Sequence, residues 1–368
     1  MDTDNPRYTD SSPEAEIETE TIPEAAEAAA MTKDQLWELE RSRNHGQQYR
    51  DMIISLLPLA GFAAALAEYT LIPDKYNNPH PERYMIFLLI ILSIYAARWV
   101  RGMFYASRGS RREFAAASHS APFLTAIFAA LAVFDWATLK TGKLLYPFIP
   151  WINDIINSMI LDYRQLAICT FYSIRLLLTG YFCGSFLGLI TGVACGYSKK
   201  VYYWINPIIR VLGPIPTATW IPLIMLLVKS LTAGSAFIVG LGAWFAVTIA
   251  TTTGVSGVDH DYLEAARTLG ASERQLVFSI AIPGAMPNIL QGMTQAMSSA
   301  CVSLIIAEMM GVKAGLGWYI TWAKSWAAYN KMFAAIIIIC IVFNLVTRIV
   351  EHLRRRMLRW QTGGTHNG

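Results

Sequence analysis

Few residues of this chain are placed to do chemistry in an apolar setting. Asp135, Arg175 and Glu308 fall near the ends of long apolar runs, and Lys229 sits at a turn between two others. A charge at such a depth faces a partner, a water-filled path or the membrane interface. Asp135 and Arg175 lie at similar depth in consecutive runs and could form an intramembrane pair; interfacial snorkelling and a place on a solute path are the alternatives. Snorkelling accounts for Lys229. Motifs for harder chemistry are missing. There is no G-x-x-x-x-G-K-[ST] phosphate loop, because Gly142-Lys143 is followed by Leu144, and there is no H-E-x-x-H or Cys/His cluster of zinc spacing. The six histidines are scattered. These residues predict a chain with no catalytic, cofactor or metal site of its own, so any uphill transport must draw its energy from elsewhere.

A second set of residues stands out by spacing. Asp261 lies three residues before Glu264, which predicts a helix from Tyr262 with Tyr262, Ala265, Ala266 and Leu269 on one face. Gly270 supplies the freedom to end that helix in a left-handed conformation. Ser272 and Gln275 have capping-box spacing, so a second helix is predicted to begin at once and to run through Leu276, Val277 and Phe278 toward Ile280 and Pro283. A polar helix-turn-helix between oily runs has a physical use if something in water grips it, and its alanines would admit a close-fitting groove. Upstream, Gly180, Gly184, Gly188, Gly192 and Gly196 recur every four residues. That spacing puts all five on one face and predicts a tight helix-packing seam. Pro214, Pro216 and Pro222 break helix geometry within 213–223. Carbonyls freed at membrane depth are tolerated where they are buried in protein or line water. Pro214, Pro216, Thr217 and Thr219 are therefore pore-lining candidates, with plain helix-entry prolines as the alternative.

The elements that must position these residues are apolar helices. Apolar residues make up 54% of the 368, and the mean hydropathy is +0.37. About 20 apolar residues cross a hydrocarbon core, and eight spans are predicted, over 52–71, 84–100, 121–139, 168–196, 217–228, 233–253, 285–310 and 332–350. Arg98, Arg101, Arg108, Arg111 and Arg112, the pair Lys199-Lys200, and Arg354, Arg355, Arg356 and Arg359 flank these runs. Basic clusters stay on the cytoplasmic side, and eight spans with both termini cytoplasmic put every cluster there. The net charge of +4 thus reads as topology, with no nucleic-acid partner. Residues 1–50 read as an acidic solvated tail, with Thr32 and Gln35 at the spacing to start a short helix that has Leu36 and Leu39 on one face, either lying on the membrane surface or simply solvated. No signal peptide is predicted, since the N-terminus is acidic where a basic region would stand. The five cysteines fall in apolar segments and read as helix thiols. Lys140, Lys143, Lys229, Lys313, Lys324 and Lys331 fall on the outer face, where they suit anions or lipid headgroups alike.

Residues 264–283 resemble the EAA motif of ABC importer permease subunits. The match is Glu264-Ala265-Ala266, three residues, Gly270, nine residues, then Ile280-Ala281-Ile282-Pro283, with Ile282 where leucine is usual. The run 213–223 and Ala307-Glu308-Met309-Met310-Gly311, followed by Gly315-Leu316-Gly317, are similar to permeases for nitrate, sulfonate, taurine and bicarbonate. The resemblance covers about 121–360. It implies an all-α membrane protein with a type I ABC importer permease core of six transmembrane helices over 116–361. An extra N-terminal hairpin and its basic loop (51–115) precede that core, a short tail (362–368) follows it, and the chain crosses the cell inner membrane many times. A coupling helix near 259–272 is implied, in which Glu264, Ala265, Ala266, Gly270 and Ser272 engage a separate ABC ATPase subunit that binds the ATP. The further partners implied are a periplasmic or lipid-anchored substrate-binding protein, a second permease copy in a homodimer, and membrane lipids. The function implied is import of a small anion, powered by that ATPase. The competing class, an ion-gradient-driven secondary transporter, would need an inward-facing ionisable relay or broken half-helices in matched halves, and neither is evident.

Overall fold

The structure is a computed structural model, which describes residues 33–107, 112–213 and 215–358. The regular elements among them are helical. Helix α1 (Lys33–Leu71) is continuous from before the first span to its far end. The separate short helix expected near 32–39 is thus the first part of α1; Thr32 lies outside the described residues. Arg108, Arg111 and Arg359 lie outside them too.

The chain divides into two compact units. The first comprises Met1–Leu66 and Leu89–Leu131, and so holds most of α1, the later part of α2 (Glu82–Ser107) and most of α3 (Arg112–Asp135). Ser55 is its polar hub. The Tyr95 hydroxyl donates to the Ser55 carbonyl at 2.7 Å and the Trp99 indole donates to the Ser55 hydroxyl at 3.0 Å. Such bonds join helices where lipid offers no partner for a polar group. Gly61 admits Thr125 and Phe128 at close range, and Phe62 meets Phe128 edge to face at 5.8 Å. The third span therefore clusters with the hairpin over much of its length.

The second unit comprises Ala67–Leu88 and Ala132–Gly368. A π turn (Trp136–Lys140) ends the third span, and α4 (Ile152–Leu161), α5 (Tyr163–Tyr197), α6 (Lys199–Leu212), α7 (Ile221–Leu227) and α8 (Leu231–Ser256) follow. Then come α9 (His260–Thr268), the single turn α10 (Glu273–Gln275), a π segment (Leu276–Ala281), α11 (Ile282–Met309), α12 (Leu316–Ser325) and α13 (Tyr329–Met357). The sequence reading left 311–331 as a loop and missed α12.

The centre of this unit is α8, held between α5 and α11. The α5 glycines all face α8. A Cβ on Gly180 would meet Val239, one on Gly188 Val247, one on Gly192 Thr251 and one on Gly196 Val255, all under 3.0 Å, and one on Gly184 would lie 2.1 Å from the Gly240 carbonyl oxygen. Partners advance in step along both helices, so α5 and α8 run parallel. On the other side Gly254 meets Ala285 and Asn288, Gly292 meets Ala250, and Gly242 meets Ser299 and Ser303. Those numbers run in opposite senses, so α8 and α11 are antiparallel.

A parallel α5–α8 pair requires the intervening chain to return to the end where α5 began. The stretch 217–228 cannot do this alone, because α7 has seven residues and extends only about 10 Å. The return is made by α6 together with Thr217–Ile224, two arms bent by 88° at the Gly213–Pro216 break. Among the described residues seven helices are long and apolar enough to cross a membrane, and this bent pair, taken as one span, makes eight.

Candidate functional site

The polar segment after α8 forms a capped helix at the unit's surface. Asp259, in extended backbone, accepts the Asp261 amide at 3.2 Å, so α9 starts at His260. The cap is Asp259 instead of the expected Asp261, because the residue with non-helical backbone is the one free to turn its carboxylate onto the first turn. His260 and Glu264 lie 3.2 Å apart one turn on. Gly270 closes the helix at φ +84°, and the Ala271 amide donates to the Ala266 carbonyl at 3.0 Å. Ser272 then donates its amide to Gln275 Oε1 at 2.8 Å, the reciprocal half of a capping box. The π segment follows at once and ends just before Pro283, whose ring and missing N–H disturb the preceding turn.

Two side-chain contacts tie this segment to itself and to α5. Glu273 accepts from the Tyr197 hydroxyl at the end of α5 and lies 3.5 Å from Arg267. The rest is open: Glu264 and Ala265 are exposed, Ala266 is half-buried, and nothing lies within 4 Å of a Cβ built on Gly270. Tyr262 is 69% exposed, Leu269 89% and Phe278 70%, so these three apolar side chains stand uncovered among the described residues. At the same end, Lys199, His260 and Arg267 line one cavity and Arg354 donates to Gln291.

A larger cavity, of about 1050 Å³, is bounded by α6, the 213–218 break, α8 and α11. Pro216 and Thr217 line it, and Thr217 shares a hydrogen bond of 2.6 Å with Ser303. Thr219 is exposed and outside the lining, and Pro214 lies outside the described residues. The remaining polar wall consists of Asn206 and Arg210 on α6 and Gln295, Ser298 and Ser299 on α11. The sequence reading missed these residues. Gln295, Ser299 and Ser303 recur every four residues, a stripe of hydroxyl and amide groups on one face of an oily helix. Neutral hydroxyls and amides beside one guanidinium can pass a small polar or anionic solute without trapping it.

Asp135 and Arg175 do not meet. Asp135 is fully buried with neither carboxylate oxygen hydrogen-bonded, and its charged surroundings are Glu68, Lys140 and Asp74. Lys140 is buried as well. Its ammonium is bound by the Tyr69 and Ile72 carbonyls at 2.8 and 2.7 Å and by Asp74, so it is no outward-facing attractor of anions. Arg175 opens on a different cavity, with Lys313.

Glu308 has a structural task that its sequence position does not reveal. It is 1% exposed, accepts from the Ser173 hydroxyl at 2.7 Å and from the Gly317 amide at 2.8 Å, and Ser173 accepts in turn from the Leu316 amide. Gly315, at φ +139°, is the residue that lets the chain pass here, since a Cβ would lie 2.4 Å from Glu308 Oε1. Near this end Lys331 pairs with Asp162 at 2.7 Å, and the Tyr319 hydroxyl donates to the same carboxylate at 2.7 Å. Burial alone would raise the pKa of Asp162, but the Lys331 and Tyr319 hydrogen bonds and the Lys331 charge hold it below the usual value. Asp154 shows the opposite result: burial raises it, and the Asn330 hydrogen bond offsets only part of that.

Residues 184–359 match the family described as "Binding-protein-dependent transport system inner membrane component". The first three spans and the start of α5 lie before the match. The chain is 30% identical to a putative ABC transporter permease protein of Methanocaldococcus jannaschii over 42% of this chain and 61% of that protein. It is 34% identical to a putative aliphatic sulfonates transport permease protein of Bacillus subtilis, over 50% of this chain and 66% of that protein. It is 29% identical to a nitrate import permease protein of Synechocystis, over 33% and 45%. The chain thus spans between about half and two thirds of the length of these relatives.

Proposed function

We propose that this chain, whose residues 184–359 match the inner-membrane components of binding-protein-dependent transport systems, is the permease subunit of an ATP-driven importer of a small anion. It is a multi-pass inner-membrane protein. The observation that carries the reading is α9, a capped polar helix between two spans whose apolar residues Tyr262 and Leu269 are left bare. A surface helix of this kind is a docking element for an aqueous partner. The partner proposed is a separate ATPase subunit, engaged by Glu264, Ala265, Ala266, Gly270 and Ser272. Lys199, Lys200 and the Arg354–Arg356 cluster at the same end support a cytoplasmic placement of that end.

In the proposed cycle two copies of the chain face each other across the cavity lined by Thr217, Ser299 and Ser303. Closure of the ATPases on ATP draws the two α9 helices together. The π segment and Gly270 pass that movement to α11, and the cavity switches from one side to the other. A binding protein delivers the substrate, and the names of the sulfonate and nitrate relatives support a small oxyanion. An ion-gradient mechanism is disfavoured by Glu308, whose carboxylate is engaged by Ser173 and Gly317, and by the separation of Asp135 from Arg175.

The reading is tested by reconstituting the full chain with its ATPase and binding protein and adding sulfonates, nitrate and bicarbonate in turn. One anion is expected to stimulate ATP hydrolysis and to accumulate only when ATP is present. Accumulation driven by an ion gradient without ATP would overturn the reading.

A further inference from the structure

A cavity of about 680 Å³ opens at the end of the second unit opposite α9. Arg175 of α5, Ser230 and Thr232 at the start of α8, and Lys313 after α11 all line it. Neither cation has a carboxylate partner among the described residues. The acids nearby are already taken, Asp162 by Lys331 and Glu308 by Ser173 and Gly317. Arg175 lies within a membrane-spanning helix, where a guanidinium without a counter-ion faces water or the membrane interface; it is exposed and lines this cavity. The N-terminus of α8 points into the same space. Ser230 is its cap, taking the Ala233 amide on its hydroxyl at 3.4 Å. The Leu231 and Thr232 amides belong to the first turn, which has no acceptor inside its own helix, and the positive end of a 26-residue helix favours an anion.

We propose that this cavity is an oxyanion-binding site at the outer mouth of the permease. Arg175 offers a planar fork matched to two oxygens of one anion. Lys313 adds a mobile charge, and the first turn of α8 with the Thr232 hydroxyl supplies neutral donors. The ligand class is a small sulfonate or another compact oxyanion, and a neutral molecule of the same shape is excluded. The site rests on the importer reading only for its place in the sequence of events, as the point of capture before the 1050 Å³ cavity.

The test uses the full chain alone in lipid nanodiscs, with the exposed Cys183 and Cys340 changed to serine and Ala314→Cys introduced in the cavity wall. The new thiol is expected to react about tenfold faster with an anionic sulfonatoethyl thiosulfonate than with the cationic trimethylammonioethyl reagent, a preference that added salt erodes. Methanesulfonate should protect it and the neutral isostere dimethyl sulfone should not. Arg175→Gln should abolish both effects and Arg175→Lys should keep the rate preference. Lys313→Gln, at an exposed loop position, should weaken both without touching α5. Equal rates for the two reagents, equal protection by methanesulfonate and dimethyl sulfone, or an unchanged preference in both glutamine variants would overturn the site. No ATPase or binding protein enters this assay. Its failure beside intact ATP-driven uptake removes the site alone, whereas success without ATP-driven uptake removes the importer reading alone.

Discussion

The two ends of the second unit are finished differently. At the Glu308 end the carboxylates are held within the chain, although Arg175 and Lys313 face a cavity: Ser173, Leu316 and Gly317 converge on one another and on Glu308, Asp162 is held by Lys331 and Tyr319, and Asn330 donates to Asp154. At the α9 end Tyr262, Leu269 and Phe278 are bare, and Gly270 has no neighbour. The contrast separates scaffold from contact surface. Where a buried polar group finds its partner within the chain, the fold supplies its own completion; the exposed apolar residues of the capped helix are the feature on which the proposed docking rests.

The largest effect expected on the chain's own stability is at the finished end. Glu308→Ala leaves the Ser173 hydroxyl and the Gly317 amide without their acceptor, at a cost of about 3 kcal/mol, since each buried unsatisfied group costs roughly 1–3. Glu308→Gln keeps an acceptor and should recover part of the loss. Unfolding in mixed detergent micelles measures both, and a neutral Glu308→Ala would break the comparison. The glycines give a second, smaller contrast. Gly184→Ala puts a methyl against the Gly240 carbonyl and should cost about 1–3 kcal/mol by overpacking. Gly270→Ala meets no atom and bears only the left-handed backbone, so about 1 kcal/mol is expected. The reverse order would show that the α5–α8 seam is slack.

The smallest effects are in pH dependence, where two carboxylates of the finished end differ in sign. The folded-state pKa of Asp162 is lowered, so its contribution is present above the unfolded pKa and is lost as pH falls through the folded value. Asp154 is raised, so its ionised form is a cost that appears as pH rises from the unfolded toward the folded value and is absent below both. Asp162→Asn should therefore flatten the acid limb of a stability curve. Asp154→Asn, which keeps an acceptor for Asn330, should raise stability at neutral pH. Melting curves from pH 3 to 7 check both signs.

The local signals in the sequence were strong wherever one residue type does one job. Gly270 ends its helix through a left-handed backbone and Ser272 with Gln275 restarts it, because caps act over three or four residues and read directly. The start of α9 was misread by two residues because two aspartates compete for the cap, and only backbone geometry decides between them. The return through α6 was hidden because Lys199, Lys200, Asn206 and Arg210 interrupt the apolar window. What exposed it was the parallel register of α5 and α8, a long-range fact. Depth along a span proved a poor guide to pairing: Asp135 and Arg175, expected at one level, face different neighbours, and Lys140, expected outside, is folded under the loop that carries Asp74. Of the cavity wall, Thr217 was legible from the helix-breaking prolines beside it. Ser298, Ser299 and Ser303 were not, since serines are ordinary in packed membrane helices.

The central claim, that α9 is a docking helix completed by a partner, is tested most directly by amide hydrogen exchange on the full chain with and without its ATPase subunit. The amides of 260–272 are expected to exchange about tenfold more slowly or better in the complex, equivalent to about 1.4 kcal/mol of added protection, while those of Leu316 and Gly317, already bonded to Ser173 and Glu308, do not change. Equal exchange of 260–272 in the two samples, with the ATPase bound, would contradict it.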